Sequence, residues 1–168
     1  MKSASNFPPR RFWLANSGTA LIALARHVAP PLFRIALALP FFRSGLTRWD
    51  APFQLSIGTS YLFEEFFKLH IFGNLVDIPF PDTTALIVAC LEILLPVLLI
   101  FGLATRAAAV GIFIMTCVIQ LIVPDGWANF HLYWAALALG LIAYGPGALS
   151  IDALIAAIVR YRTRKIKA

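Results

Sequence analysis

Residues 83–104, TTALIVACLEILLPVLLIFGLA, form an apolar run broken by a single carboxylate, Glu92. At about 1.5 Å of rise per residue, such a run spans the ~30 Å of bilayer hydrocarbon. In lipid every backbone polar group must find its partner inside the segment, so the run must be a helix. Three more runs obey the same rule. Residues 28–46 open near Pro30-Pro31 and carry Arg34, Pro40 and Arg43; residues 107–123 stop at Pro124; residues 127–144 stop at Gly145-Pro146. The chain is therefore expected to be all-α, a four-helix transmembrane bundle.

Helices in lipid need apolar residues on their outer faces as well as in the core. The composition agrees, at 60% hydrophobic and 13% charged, where soluble domains run nearer half and a quarter. The 168 residues suit one folding unit. It divides into an interfacial, cytoplasmic segment over 1–27, a membrane domain over 28–159 and a basic cytoplasmic tail over 160–168. The formal charge of +6 forms no stripe interleaved with base-reading residues, so nucleic acid is not an expected partner. Cys90 and Cys117 stand alone inside apolar runs, without the spacing of a zinc or redox motif, and read as small buried hydrophobes.

The basic residues set orientation. With both termini cytoplasmic, Lys2, Arg10, Arg11, Arg26, Arg106, Arg160, Arg162, Arg164, Lys165 and Lys167 lie inside, while Arg48 and Lys68 lie outside. That asymmetry satisfies the positive-inside rule. Residues 12–25 end in Ala23-Leu24-Ala25, which reads either as a leader-cleavage pattern or as an interfacial helix entering the first span. In the outer loop, Leu62, Phe63, Phe66, Phe67 and Leu69 share one helical face behind Thr59-Ser60, and Glu64 stands four residues before Lys68. The pattern predicts an amphipathic outer helix. Asp82 is placed to cap the second span, and Ser150 to cap a final interfacial helix with Ile151, Leu154, Ile155, Ile158 and Val159 on one stripe.

Candidate chemistry gathers in the spans. A charge at the bilayer centre costs at least ~2.5 kcal/mol, so Glu92 either ties helices together or carries function. Side chains lean toward the helix N-terminus, which brings Glu92 and Arg43 together from antiparallel helices and sends Arg34 toward the cytoplasm. Gln120 and His131 fall in the same leaflet half and complete a candidate binding patch of Glu92, Arg43, Gln120 and His131. Glu92 and Arg43 are the candidates for any catalytic role, and no metal site is expected.

Leu32-Phe33-Arg34 with Phe42-Arg43-Ser44-Gly45-Leu46-Thr47-Arg48-Trp49, then Leu91-Glu92 with Phe101-Gly102-Leu103-Ala104-Thr105-Arg106, resemble the DoxX family of small membrane proteins. Tyr144-Gly145-Pro146-Gly147-Ala148-Leu149-Ser150-Ile151-Asp152 is similar to that family's ending. Family members often carry Lys where this chain has Arg48. The resemblance implies a multi-pass protein of the bacterial inner membrane. Some relatives are linked to thiosulfate and quinone oxidation, others to oxidative, thiol or metal stress. One reading is an accessory subunit of such a system, with quinone as the possible cofactor and a redox protein as partner. A second is a small permease or exporter component using Glu92, possible as a homo-oligomer. A third is a non-catalytic anchor for a partner protein. The first calls for an apolar, lipid-open cleft beside Glu92; the second for a watery path to both faces; the third for a closed bundle.

The charge asymmetry predicts that reporters fused to the C-terminus are active only when they work in the cytoplasm. A periplasm-dependent reporter active there would reverse the topology.

Overall fold

The computed structural model describes residues 10–166; Lys2 and Lys167, counted above for orientation, lie outside them. Helix α1 (Arg10–Leu46) is followed by a small hairpin, β1 (Trp49–Ala51) and β2 (Gln54–Leu55). Next come α2 (Ile57–Tyr61), a π-helical turn (Leu62–Phe66) and a second hairpin, β3 (Lys68–Ile71) with β4 (Asn74–Asp77). Helices α3 (Pro81–Phe101) and α4 (Thr105–Ile122) follow. A 3-10 turn (Pro124–Gly126) and a π-helical turn (Trp127–His131) then lead into α5 (Leu132–Tyr144) and α6 (Ile151–Ile166).

Among the described residues, three helices are long and apolar enough to cross a membrane: Leu21–Leu46, Pro81–Phe101 and Thr105–Ile122. The 37 residues of α1 amount to about 55 Å of helix, more than a bilayer core requires. Residues 12–25 are thus the opening turns of one continuous helix. Helices α1, α3, α4 and α5 pack around a shared core of Leu37, Ala38, Leu99, Ala108, Ala109, Ile112, Ala138 and Leu141. Four alanines, Ala38, Ala108, Ala109 and Ala138, belong to this core. Lipid tails give helices no hydrophobic reason to associate, so close backbone approach through small residues supplies the van der Waals contact.

The bundle has two unlike ends. At one, α1 ends and α3 begins, and both hairpins and α2 gather there. At the other, α3 turns tightly into α4. Gly102 ends α3 in the left-handed conformation (φ 67°), which a residue with a Cβ rarely adopts, and Ala104 also has positive φ.

The connection between the first two spans departs from the amphipathic helix read in the sequence. Ser56 caps α2, accepting from the Thr59 N–H. The helix then loosens into a π turn and gives way to a strand at Lys68. Lys68 pairs with Asp77 across the hairpin at 2.7 Å and gives Glu64 only a backbone contact. Helical periodicity in the phenylalanines hid a switch of structure that the hairpin turn at Phe72-Gly73 imposes. Asp82 lies in the first turn of α3 behind Pro81, while Phe80 takes the cap position.

Ser150 does cap α6, accepting from the Ala153 N–H at 3.1 Å. The carboxylate of Asp152 accepts from the backbone N–H of Ala104 and Thr105 at 2.8 and 2.9 Å, while its own N–H donates to the Gly102 carbonyl. Arg34 is buried beside this latch and donates to the Leu149 carbonyl. It does not reach out to the headgroups as its side-chain direction suggested. The two loops at this end enclose it, and the guanidinium lies where a side chain on Gly102 would be.

Burial opposes the charge of Asp152, but the N–H groups of Thr105 and Ala104 and the nearby Arg34 outweigh it and hold the carboxyl below its usual range. A carboxyl with a lowered native pKa stabilises the fold above its unfolded pKa, and that contribution disappears as pH falls through the native value. Asp152→Ala should therefore cost about 0.5–2 kcal/mol at neutral pH, the usual worth of a helix cap. Thermal melts in detergent should show the gap from wild type closing in acid. A gap that persists in acid would mean that the latch does not depend on the charge.

Candidate functional site

Glu92 is 3% exposed, on the face of α3 that meets α1. Its carboxylate accepts from three directions. Arg48 donates through Nε to Oε2 at 2.9 Å and through Nη2 to Oε1 at 3.2 Å, while the Ser44 hydroxyl donates to Oε1 at 3.1 Å. This fork fills both oxygens with charge-assisted bonds.

Arg48 lies beyond the end of α1 and folds back over it. The N–H groups of Thr47 and Arg48 donate to Ser44 and Gly45 carbonyls, tightening the exit from the helix. The Arg48 carbonyl then accepts from the Ser56 N–H at 2.9 Å and from the Thr59 hydroxyl at 3.2 Å. Helix α2 thus holds the arginine by its backbone, and Phe63 lies under the guanidinium at 5.6 Å.

Gly45 allows the two helices to meet at this level. A Cβ there would come within 2.9 Å of the Glu92 carbonyl carbon and oxygen. That carbonyl is the one Pro96 leaves without a helical N–H donor. The missing side chain on α1 and the missing donor on α3 therefore coincide where the ion pair forms.

The pair forms part of the wall of a cavity of about 510 Å³. Phe41 and Pro40 of α1, Val88 and Leu91 of α3, Met115 and Ile119 of α4 and Trp134 of α5 supply apolar sides. Phe63, Phe67 and Ile78 close it at the hairpin end. The rings of Phe41 and Trp134 meet at 5.0 Å. Ser44, Arg48 and Glu92 give this chamber a polar corner, and within the described residues Arg48 Nη1 has no hydrogen-bond partner. The site can accordingly receive an apolar molecule that carries a hydrogen-bond acceptor.

The sequence-derived site residues separate. Glu92 has Arg48 as its partner, and Arg43 is exposed. The expected Glu92–Arg43 pair is replaced because Ser44, one position on, faces α3, which turns Arg43 outward. Gln120 and His131 do meet, with His131 Nδ1 at 2.6 Å from the Gln120 side-chain oxygen, while the Gln120 amide donates to the Pro124 carbonyl. They form a separate pair outside the chamber, connected to it through Trp134, whose ring lies 5.4 Å from the imidazole. Cys90 and Cys117 are free and exposed on their helices, not buried as read. Among the described residues no three His, Cys, Asp or Glu side chains cluster to hold a metal ion.

A family model described as DoxX aligns with residues 29–125, more than half of the chain. Neither the curated proteins nor the solved structures contain a match.

Removing one member of a buried ion pair strands the other and costs about 3–5 kcal/mol. Arg48→Ala and Glu92→Ala should each destabilise the protein in detergent by that order, and the double variant by less than their sum. Arg43→Ala should stay within about 0.5 kcal/mol of wild type. Additive losses at 48 and 92, or a large loss at 43, would contradict the pairing.

Proposed function

The chain belongs to the DoxX family of membrane proteins, and on that premise we propose that it is a quinone-binding accessory subunit of a redox or stress-response system. The observation that carries this reading is the chamber itself: apolar walls with a pre-fixed arginine at one corner. A quinone head is flat, uncharged and apolar except for its carbonyl oxygens. Arg48 donates to one of those oxygens while Glu92 and Ser44 hold the guanidinium in place, so binding requires little reorganisation. Glu92 and Arg48 are thus the binding residues, Arg48 taking the role expected of Arg43. Gln120 and His131 support the chamber from outside through Trp134.

The other two readings fit less well. The core closes inward of the chamber with Leu37, Leu99 and Ile112 fully buried, which argues against a watery path to both faces. The cavity argues against a bundle closed around a structural carboxylate.

The proposed setting is the bacterial inner membrane. Residues 127–144 make a fourth crossing, completing a four-helix bundle over the 28–159 domain with both termini in the cytoplasm. The chamber then lies in the outer leaflet half, and the Arg34–Asp152 latch lies at the cytoplasmic face. Helix α6, with Leu154, Ile155, Ile158 and Val159 exposed beside Arg160, Arg162 and Arg164, lies on the anionic inner leaflet. On the outer side, Phe53 and Phe72 protrude from the hairpin tips at positive φ and offer a surface to a redox partner.

Trp134 reports on the chamber. In protein whose other tryptophans are Phe, ubiquinone-1 should quench its fluorescence saturably, and Arg48→Lys, which keeps the charge but loses the fork, should weaken the affinity about tenfold, roughly 1.4 kcal/mol. Quenching that does not saturate, or is unchanged by Arg48→Lys, would overturn the reading.

A further inference from the structure

The chamber has an open side. Helices α3 and α4 run antiparallel from their tight turn, and they touch where Leu95 rests against Gly111; a Cβ on that glycine would lie 2.8 Å from the Leu95 Cδ1 atom. One turn further toward the hairpin end, both helices border the chamber. Val88 and Leu91 on α3 and Ile114 and Val118 on α4 line the chamber from its two sides. Ile114 and Val118 are at once chamber wall and outer surface, being 57% and 44% exposed. The hairpin end, in contrast, is covered by buried Phe63 and Ile78.

We propose that the α3–α4 cleft is a lateral window through which a tailed quinone enters from the bilayer, its head reaching Arg48 while its tail stays between Val88 and Val118 in the lipid. This rests on the quinone reading above and adds the route and the class of ligand. Three features support it. The rim is aliphatic and matches a hydrocarbon tail better than an aqueous entrance. The Leu95–Gly111 contact sets a floor that stops the head from sliding further along the bundle. The cavity volume of about 510 Å³ lies in the range of a drug-sized ligand, enough for a head and the first isoprene units, so a long tail must leave through an opening. Glu92 follows Leu91 directly, which places the polar corner one residue inside the rim.

The test uses the full chain in lipid nanodiscs, with Trp134 as the one tryptophan and with Cys90→Ser and Cys117→Ser. Val118→Cys is then tagged with a benzyl methanethiosulfonate, whose bulk narrows the window and is removed by reductant. Leu94→Cys, exposed on α3 away from the chamber, takes the same tag as a control. Tagging at 118 should slow quenching by ubiquinone-10 at least tenfold, reversibly, and slow quenching by tail-less ubiquinone-0 far less. The tag at 94 should change neither. If ubiquinone-10 quenches equally fast with 118 tagged, the window is not the route, although the quinone reading survives. If the tag at 118 blocks both quinones, position 118 lies inside the binding site and the rim assignment fails. If neither quinone quenches the untagged protein saturably, the quinone reading itself falls, and the window with it.

Discussion

A carboxylate inside a membrane must be neutralised or matched, and the way Glu92 is matched organises the hairpin end of this protein. The nearest cation on the neighbouring helix does not serve. The chain instead leaves α1 at Leu46, turns, and sends Arg48 back over the helix end. To hold that return, α2 gives two donors to the Arg48 carbonyl, and Phe63 of the following turn supports the guanidinium. The small layer of α2 and the hairpins is thus more than a connector. It keeps a buried ion pair fixed, where a misplaced charge is expensive.

The opposite end repeats the principle with different parts. Arg34, buried within α1, meets the Leu149 carbonyl, and Asp152 caps α4 from a distant segment of sequence. Between these two polar clamps the helices pack through alanines and glycines. With both ends fixed, the middle can leave space unfilled without losing register. The chamber lies on the hairpin side of the Leu95–Gly111 contact, and its polar corner is the hairpin-end clamp. The ion pair and the polar corner of the chamber therefore draw on the same three side chains, Ser44, Arg48 and Glu92.

Hydropathy made three membrane helices legible, because bilayer thickness and backbone hydrogen bonding leave a long apolar run no alternative; the fourth run, 127–144, folds instead as a π-helical turn and the 13-residue α5. The importance of Glu92 was legible for the same reason, through the cost of its charge. Its partner was not. Helical side-chain direction ranks residues within a helix, and Arg48 acts from a turn whose path depends on Ser56 and Thr59. Arg34 was misread because a snorkelling arginine and one enclosed by distant loops look alike in sequence. The β3–β4 hairpin was hidden by phenylalanines that fit a helical period. A cavity leaves no mark at all, since it is the space that packing leaves over. One signal could have pointed to Arg48: Gly45, Pro96 and Glu92 mark a close backbone approach at one level, and a cation just past the end of α1 is within reach of it.

The central claim is that Glu92 is held by Arg48 beside an apolar chamber, and solid-state NMR in bilayers tests it most directly. With 15N-labelled arginine and 13C-labelled glutamate, dipolar recoupling should detect the Glu92 carboxyl carbon close to the Arg48 guanidinium, as the 2.9 Å contact between Nε and Oε2 requires. The signal should vanish in Arg48→Lys and persist in Arg43→Lys. A Glu92 carboxyl that couples to no arginine, or loses its coupling only when Arg43 is replaced, would contradict the account.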